Sequence, residues 1–211
     1  MAFTISDFIR LRPFVYHLTD RANLLTLARS PMLEPAADLL ARAGHTSTIR
    51  SRRTTSMSIL VDGERIVLKD QKPLIFANAQ LAPGWTSGDF VEYLNQHVFF
   101  WPGNGRGPVK YGERLFAAYE ADGPAILRAR TNELIAANSG LEPLFSPFNS
   151  GAPRMQRGKR VPRGPNLFAP ASTFPRSVGK VVELVFRGAI RLPSTTKYRI
   201  ATGGWKTLGS A

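Results

Sequence analysis

Apolar and polar residues alternate over residues 181–193, and this alternation predicts one long β-strand that Pro193 closes. At period two, one face carries the apolar side chains of Val182, Leu184, Phe186, Ile190 and Leu192. Glu183 projects from the other face, between Val181 and Val185 and near the start of the strand. A strand this apolar is not an ordinary solvated edge, so a carboxylate at this position is costly and needs a reason.

Shorter patterns divide the rest of the chain into strands and helices. Strands are predicted at 14–18, 58–61, 65–68, 97–101 and 125–129, and helices at 21–29, 35–43, 86–94, 113–120 and 131–137. Asp62-Gly63-Glu64 lies between two apolar runs and indicates a hairpin. This irregular order favours an α+β fold over a doubly wound parallel sheet. No Gly-x-Gly-x-x-Gly follows an early strand, so a Rossmann dinucleotide site is not expected.

Regular patterning stops between residues 143 and 180, so we predict one domain, 1–211, that contains a long basic loop. Five cations lie within ten residues that contain no acid: Arg154, Arg157, Lys159, Arg160 and Arg163. Long irregular segments inside compact domains are usually lids or binding surfaces, which favours a nucleic-acid-binding loop over a disordered tether or a solubilising run. Phe145, Phe148 and Phe168 offer stacking faces for the bases of a single strand.

The charge of the whole chain supports the same expectation. Twenty-eight Lys and Arg oppose fifteen Asp and Glu over 211 residues, which gives a formal charge of +13 and predicts a polyanionic partner, with nucleic acid first. A membrane partner is not expected, because no apolar run approaches a spanning length and the cations are not gathered on one amphipathic helix. The absence of cysteine and the presence of only three histidines disfavour a zinc site. Residues 1–7 show no secretion signal, so a cytoplasmic location is expected.

Glu183 also stands out by its electrostatic surroundings. It is the only Asp or Glu in residues 143–211, a span with twelve Lys and Arg, and these cations are expected to favour its ionised form. An isolated carboxylate of this kind can stabilise a developing cation or accept a proton. The alternative is a structural ion pair with Arg187 or another arginine.

Residues 45–56 form a polar, basic segment rich in hydroxyl groups, without a helical or strand period. Its arginines are Arg50, Arg52 and Arg53. The segment is either a solvated connection or a loop that binds a phosphate or pyrophosphate through bidentate hydrogen bonds.

Three short motifs follow one another along the chain: Tyr16-His17-Leu18-Thr19 with Asn23-Leu24, then Phe99-Phe100 with Arg106, then Val181-Val182-Glu183-Leu184-Val185. The first resembles the opening of the bacterial DarT-type ADP-ribosyltransferases, where a strand ending in His-x-Thr precedes an Asn-Leu and a helix. The second resembles that family's central aromatic strand and its arginine. The third resembles its catalytic-glutamate strand.

This resemblance implies an ADP-ribosyltransferase-like fold, with a split mixed or antiparallel sheet and flanking helices, that uses NAD as co-substrate and no metal. It implies that His17 and Thr19 hold the nicotinamide-ribose end of NAD and that Glu183 is catalytic. An arginine of the 50–53 cluster would serve the phosphates or the reacting centre, with Arg53 and Arg52 ahead of Arg50. The remaining cofactor-binding residues implied by the resemblance are Leu18, Asn23, Arg50, Phe100 and Arg106.

The predicted function is therefore NAD-dependent mono-ADP-ribosylation of a base in single-stranded DNA or RNA, by a bacterial toxin or phage-defence effector. A toxin of this kind would have an antitoxin protein as a further partner. Glu183 would stabilise the oxocarbenium-like state through which nicotinamide leaves. Two alternatives stay open: a noncatalytic nucleic-acid-binding module, which would explain the charge, and an RNA 2′-phosphotransferase, which shares the broader fold.

Overall fold

Short helices and antiparallel strands make up the computed structural model, which describes residues 2–155, 157–200 and 203–210. The α-helices are α1 (Ile5–Leu11), α2 (Leu24–Arg29), α3 (Ala36–Arg42), α4 (Ser87–Asn95), α5 (Lys110–Ala118) and α6 (Thr131–Ala137). The strands are β1 (Phe14–Thr19), β2 (Met32–Leu33), β3 (Met57–Val61), β4 (Glu64–Leu68), β5 (Ala79–Leu81), β6 (His97–Asn104), β7 (Gly107–Pro108), β8 (Ala125–Arg130), β9 (Leu144–Ser146), β10 (Val161–Arg163), β11 (Ala169–Pro170), β12 (Glu183–Arg187), β13 (Ile190–Arg191), β14 (Lys197–Ile200) and β15 (Lys206–Thr207). Single 3-10 turns lie at Arg21–Asn23, Thr46–Thr48, Phe76–Asn78, Glu120–Asp122, Pro165–Leu167, Val178–Lys180 and Leu208–Ser210.

The largest sheet has the strand order β11-β9-β12-β6-β1-β8-β14-β15, with β7 paired to β6. All of its neighbouring strands are antiparallel. If the six central strands are renumbered by their order along the chain, their order across the sheet is 4-5-2-1-3-6; these strands are β9, β12, β6, β1, β8 and β14. The crossovers from β1 to β6 and from β6 to β8 contain helices, so the α+β class predicted from the sequence is confirmed.

The sheet opens between β1 and β6, because these strands pair over only part of their lengths. Residues 14–16 of β1 pair with residues 101–103 of β6, and within the described strands that ladder ends there. At the next position of β1, the imidazole Nδ1 of His17 lies 2.8 Å from the carbonyl oxygen of Phe99. The imidazole of His17 thus occupies a carbonyl oxygen of β6 that the N–H of a paired strand would otherwise bond. Beyond this point β1 and β6 diverge, and the gap between them forms a cleft.

Three smaller sheets surround the main one. β3 and β4 form the hairpin predicted from the sequence, and φ angles of +50° at Asp62 and +83° at Gly63 are typical of a type I′ turn. β2 pairs with β13, and β5 pairs in parallel with β10. The pairing of β5 with β10 holds the basic loop of residues 143–180 against the rest of the protein.

The prediction of one strand over residues 181–193 is wrong in its extent. β12 ends at Arg187, Gly188 adopts a φ of +97°, and the chain then pairs with β2 instead of the main sheet. Glycine adopts this left-handed backbone readily, so the alternating pattern is interrupted by a bend. Both faces of β12 are buried, since Leu184 packs in the main core cluster and Val185 packs in the cluster beneath α4.

The segment 143–180 is more regular than its sequence predicts. It contains β9, β10 and β11, and β9 pairs directly with β12 in the main sheet. These strands are two or three residues long and include prolines, so they are too short to produce a visible alternation. The five helices predicted from the sequence correspond to α2–α6, with ends displaced by a few residues.

Candidate active site

A cavity of about 330 Å³ lies at the cleft where β1 and β6 diverge, within the size range of small-molecule sites. Its walls are formed by β1, the loop that contains Arg53, the β3–β4 hairpin, α4, β6, the segment 149–151 and the first residue of β12. Residues singled out from the sequence line it together: His17, Leu18, Thr19, Asn23, Arg53 and Glu183. The fold therefore joins positions from the two ends of the chain in one site.

Glu183 is the first residue of β12 and lines the cavity, although it is only 2% exposed. Its Oε1 accepts a hydrogen bond of 3.1 Å from the backbone N–H of Ser150. Its Oε2 is buried and has no hydrogen-bond partner among the described residues. Leaving a buried polar atom unsatisfied costs about 1–3 kcal/mol, so a donor or cation brought to Oε2 would be bound favourably.

Burial raises the pKa of Glu183 to about 7, although the hydrogen bond from Ser150 and the charge of Arg163 oppose the shift. The charge of Arg163 favours the ionised form, as expected from the basic surroundings, but removal from water outweighs it and raises the pKa. The alternative of an ion pair with Arg187 is not observed: within the described chain Glu183 is in no salt bridge, and Arg187 is exposed. A carboxyl group with a pKa near neutrality can exchange a proton at physiological pH.

Arg163 differs from the other cations of the basic loop because it is buried, with 3% of its surface exposed. Its guanidinium donates hydrogen bonds of 3.1 Å to the carbonyl of Asn149 and 3.0 Å to that of Pro162, and lies 5.1 Å from the ring centre of Phe148. Burial lowers the pKa of Arg163 to about 10, and the charge of Glu183 opposes this. Arg163 was predicted to contact nucleic acid together with the other four cations, but here it is buried and holds the segment that covers Glu183.

The other four cations of this loop are exposed: Arg154, Arg157, Lys159 and Arg160. They lie outside the residues that line the cavity. Their predicted contact with nucleic acid stays a prediction.

His17 presents a defined tautomer to the cavity. Its Nδ1 lies 2.8 Å from the carbonyl oxygen of Phe99, which can only accept, so Nδ1 carries a proton. Burial lowers the pKa of His17, which favours the neutral ring with Nε2 as an acceptor. Phe100, implied by the resemblance to bind cofactor, is 1% exposed and outside the cavity lining. Its ring centre lies 5.5 Å from that of His17, so Phe100 supports the imidazole from the core.

Asn23 connects Thr19 to the β3–β4 hairpin. Its Nδ2 donates to Thr19 Oγ1 at 3.0 Å and to the carbonyl of Val67 at 2.9 Å. Its Oδ1 accepts from the N–H of Val67 at 2.8 Å. Because Thr19 Oγ1 accepts this bond, its hydroxyl proton stays available to donate. Asn23 therefore positions Thr19 and closes one wall of the cavity.

Arg53 is the member of the 50–53 arginine cluster that lines the cavity. Its Nε donates to the carbonyl of Lys69 and one amino group donates to Asn95 Oδ1, both at 3.1 Å. Burial lowers the pKa of Arg53 to about 10, with the charge of Asp70 opposing, so the side chain remains a cation at neutral pH. The site thus contains one arginine held rigidly from two sides.

The other predicted arginines lie outside the cavity lining. Arg52 donates to the backbone carbonyls of residues 71 and 72 at 3.1 and 2.8 Å. Arg50 forms ion pairs with Asp89 and, at 3.4 Å, with Glu92. Arg106 is exposed in the turn between β6 and β7. The geometry therefore favours Arg53 among the candidates that the sequence left open.

The chain was compared with families of related sequences, and one family model matches residues 13–196. The chain belongs to the DUF7002 family, a family of unknown function. The DUF7002 match includes every cavity residue from His17 to Glu183. No curated protein and no solved structure matches the chain. In the part of this DUF7002 protein that the structure describes, no helix is long and apolar enough to cross a membrane, and no cluster of three metal-binding side chains occurs.

Several polar residues of this DUF7002 site carried no sequence signal. His97 lines the cavity with Nδ1 2.7 Å from the carbonyl oxygen of Tyr93, and burial lowers the pKa of His97. Tyr119 donates a hydrogen bond to the carboxylate of Asp70, and burial together with that carboxylate raises the pKa of Tyr119. Their positions depend on tertiary packing, so no local motif could have indicated them.

Proposed function

We propose that this protein is an NAD-dependent mono-ADP-ribosyltransferase that modifies a base of a single-stranded nucleic acid. One observation carries the proposal: His17, Thr19, Arg53 and Glu183, from three separate stretches of the chain, line one cavity. The resemblance to DarT-type enzymes implied roles for these residues, and a cavity that gathers them supports those roles by an independent route.

The reaction breaks the bond between the nicotinamide nitrogen and the ribose C1′ of NAD, and forms a bond from C1′ to a nitrogen of the base. Neutral nicotinamide and one proton are released. Positive charge develops on the ribose as the first bond breaks, as in glycoside hydrolysis, and an ionised Glu183 stabilises that charge. With a pKa of about 7, the same carboxylate can take the proton that the base nitrogen loses.

The remaining cavity residues bind and orient the co-substrate. Arg53 supplies a fixed cation for the diphosphate of NAD. Thr19 offers a hydroxyl donor and His17 offers Nε2 as an acceptor, which suits the hydroxyl and amide groups at the nicotinamide-ribose end. The formal charge of +13 attracts the nucleic acid, whose target base must be unstacked before it can reach a cleft of this size.

The test uses NAD labelled in its adenylate phosphate, incubated with separate pools of single-stranded DNA, RNA and protein. We expect label on a nucleic acid and stoichiometric release of nicotinamide with the wild type, and a loss of about 10²–10³-fold in rate with Glu183→Gln. No consumption of NAD with any pool would contradict the proposal. An RNA 2′-phosphotransferase would consume NAD only with 2′-phosphorylated RNA, and a noncatalytic module would bind oligonucleotides without consuming NAD.

A further inference from the structure

A row of alternating guanidinium groups and aromatic rings crosses β1, β8 and β14 and continues to the residue before β15. Arg130 lies 5.6 Å from the ring centre of Phe14, and Arg128 lies 5.0 Å from the same ring. Arg128 also lies 4.2 Å from the ring of Trp205, over which Arg199 lies at 5.0 Å. These five residues are called the arginine–aromatic row below.

The strand register adds a further cation to the same side of the sheet. Lys197 of β14 stands directly opposite Arg128 of β8, and Arg199 stands opposite Ile126. Because side chains alternate along a strand, Lys197 and Arg199 project to the side that carries Arg128 and Arg130. Lys197 and Arg130 are exposed, and the other members of the row are partly exposed.

Little negative charge balances this side of the sheet. Among the described residues, Arg130 has one salt bridge, 3.7 Å long, to Glu133, whereas Arg128, Lys197 and Arg199 have none. Like charges directly across an antiparallel pair are destabilising, as with Lys197 and Arg128. The Nε of Arg199 is also buried without a hydrogen-bond partner in the described chain. The cation–π contacts of the row offset part of this repulsion, but they do not neutralise the charge, which remains available to an anionic partner.

We infer that the arginine–aromatic row, together with Lys197, binds a single-stranded nucleic acid. The flat faces of the guanidinium groups contact the rings, and the exposed N–H groups at their edges can donate to phosphate oxygens. Arg128 also forms a hydrogen bond with the side chain of Tyr16. The rings of Phe14 and Trp205 are already covered by arginines, so the outer guanidinium faces of Arg130 and Arg199, at the ends of the row, are the planes on which unstacked bases can lie. A purely electrostatic site for an acidic peptide needs no such planes. The partner is defined by this combination of repeated phosphates and flat bases.

The row and the cavity share the strand β1. Phe14, Tyr16 and Leu18 share one side of β1, because side chains alternate along a strand. Phe14 belongs to the row, and Leu18 lines the cavity. Tyr16 lies between them and is buried in a cluster with Phe116 of α5, so this packed cluster separates the row from the cavity. This inference shares with the proposed function only the class of partner, and the binding itself requires no NAD.

The experiment measures the affinity of fluorescein-labelled oligo(dT) and oligo(rU) by anisotropy over a salt series, without NAD. Lys197→Gln/Arg199→Gln should weaken binding and reduce the slope of log K against log salt by about 1.4, since each phosphate contact on a single strand contributes about 0.7. Lys197→Gln alone removes the charge of one exposed side chain and should reduce the same slope by about 0.7. The control, Lys180→Gln/Arg191→Gln, removes the same charge from two exposed residues outside the row.

A loss in the double variant that is no larger than in the control would overturn the inference, because it would show a general effect of net charge. Equal losses for oligonucleotides, polyglutamate and anionic vesicles would overturn it as well, since the surface would then recognise charge without bases. Melting temperatures of all variants separate binding from unfolding. NAD consumption by the same variants is measured separately, so failure of catalysis and failure of this surface give different results.

Discussion

Replacing Glu183 with glutamine should stabilise the protein above neutral pH and leave its stability unchanged in acid. The folded structure raises the pKa of this carboxyl from 4.5 to about 7, because a residue 2% exposed loses its hydration. Between these two values the folded state binds more protons than the unfolded state, so stability falls as the pH rises. Below the lower value both states are protonated and the destabilisation is absent, whereas above the higher value it is complete.

The magnitude follows from the size of the pKa shift. At 1.36 kcal/mol per pKa unit, the change from 4.5 to about 7 corresponds to about 3 kcal/mol. Glutamine has no charge to desolvate, and its Oε1 can accept the same bond from the N–H of Ser150. Its amide nitrogen takes the unpartnered place of Oε2, as the hydroxyl of the protonated acid does, so the two proteins are matched in acid. For a chain of this size, the gain above neutral pH is about 6–12 °C in Tm.

The assay is urea unfolding, followed by tryptophan fluorescence, over a series of pH values. Glu142→Gln serves as the control because it makes the same substitution at an exposed site. The Glu183→Gln difference should rise across the window from pH 4.5 to about 7 and then level off. A glutamine variant that is less stable than the wild type in alkali, or a difference independent of pH, would refute the reasoning. Neither NAD nor nucleic acid enters this measurement.

Three further changes test other parts of the site. Thr19→Val should weaken NAD binding by about 2–10-fold in calorimetry through the loss of one hydroxyl donor, with Thr19→Ser as control, and an unchanged affinity would make Thr19 structural. Arg163→Met should raise the pKa of Glu183 further, because it removes a neighbouring positive charge, and so should shift the acidic limb of the transferase pH profile to higher pH. Arg163→Lys should shift that limb less, and a limb that does not move in the Met variant would contradict the prediction. A triple alanine variant of the basic loop, at Arg157, Lys159 and Arg160, should reduce the slope of log K against log salt for oligonucleotide binding by about 2. Equal slopes for the variant and the wild type would exclude the loop from the interface.

The elements that the sequence predicted well are those with local signals. Asp62-Gly63 allows the positive φ angles of a two-residue hairpin turn, and Thr86 caps α4 within a capping box with Asp89. α1 has a similar box, formed by Thr4 and Asp7, but it spans seven residues with one buried side chain and shows too little periodicity. β10 escaped prediction because it is fixed by parallel pairing with β5, about eighty residues earlier, which leaves no pattern within the segment itself.

The candidate site was predictable where its residues belong to short motifs, as His17, Thr19 and Glu183 do. The sequence could not show which arginine of the 50–53 cluster faces the cavity. Arg53 is held there by two acceptors distant in sequence, the carbonyl of Lys69 after β4 and the side-chain amide of Asn95 in α4. Two further features escaped prediction for one reason. The sequence showed neither that Arg163 is buried nor that burial raises the pKa of Glu183 against the neighbouring positive charge, because counting charges along a chain takes no account of desolvation.

The unpartnered Oε2 of Glu183 leads to a last prediction about how the site recognises its ligand. The nicotinamide ring of NAD is cationic, whereas that of NADH is neutral, so the two ligands differ in charge at nearly constant shape. A cation placed beside Glu183 favours its ionised form and should lower its pKa below the value of about 7 set by burial. Because the pKa of this group lies near 7, the free protein is partly protonated there at neutral pH, so binding of NAD should release a fraction of a proton.

Calorimetry in buffers of different ionisation enthalpy measures this release directly. NADH should bind with less release, because its neutral ring gives the carboxylate no charge to neutralise. Glu183→Gln should abolish the difference between the two ligands, since glutamine has no proton to lose in this range. Equal proton release by NAD and NADH in the wild type would show that the nicotinamide ring does not lie beside Glu183. That result would remove the electrostatic basis of the proposed mechanism even if both nucleotides bound in the cavity.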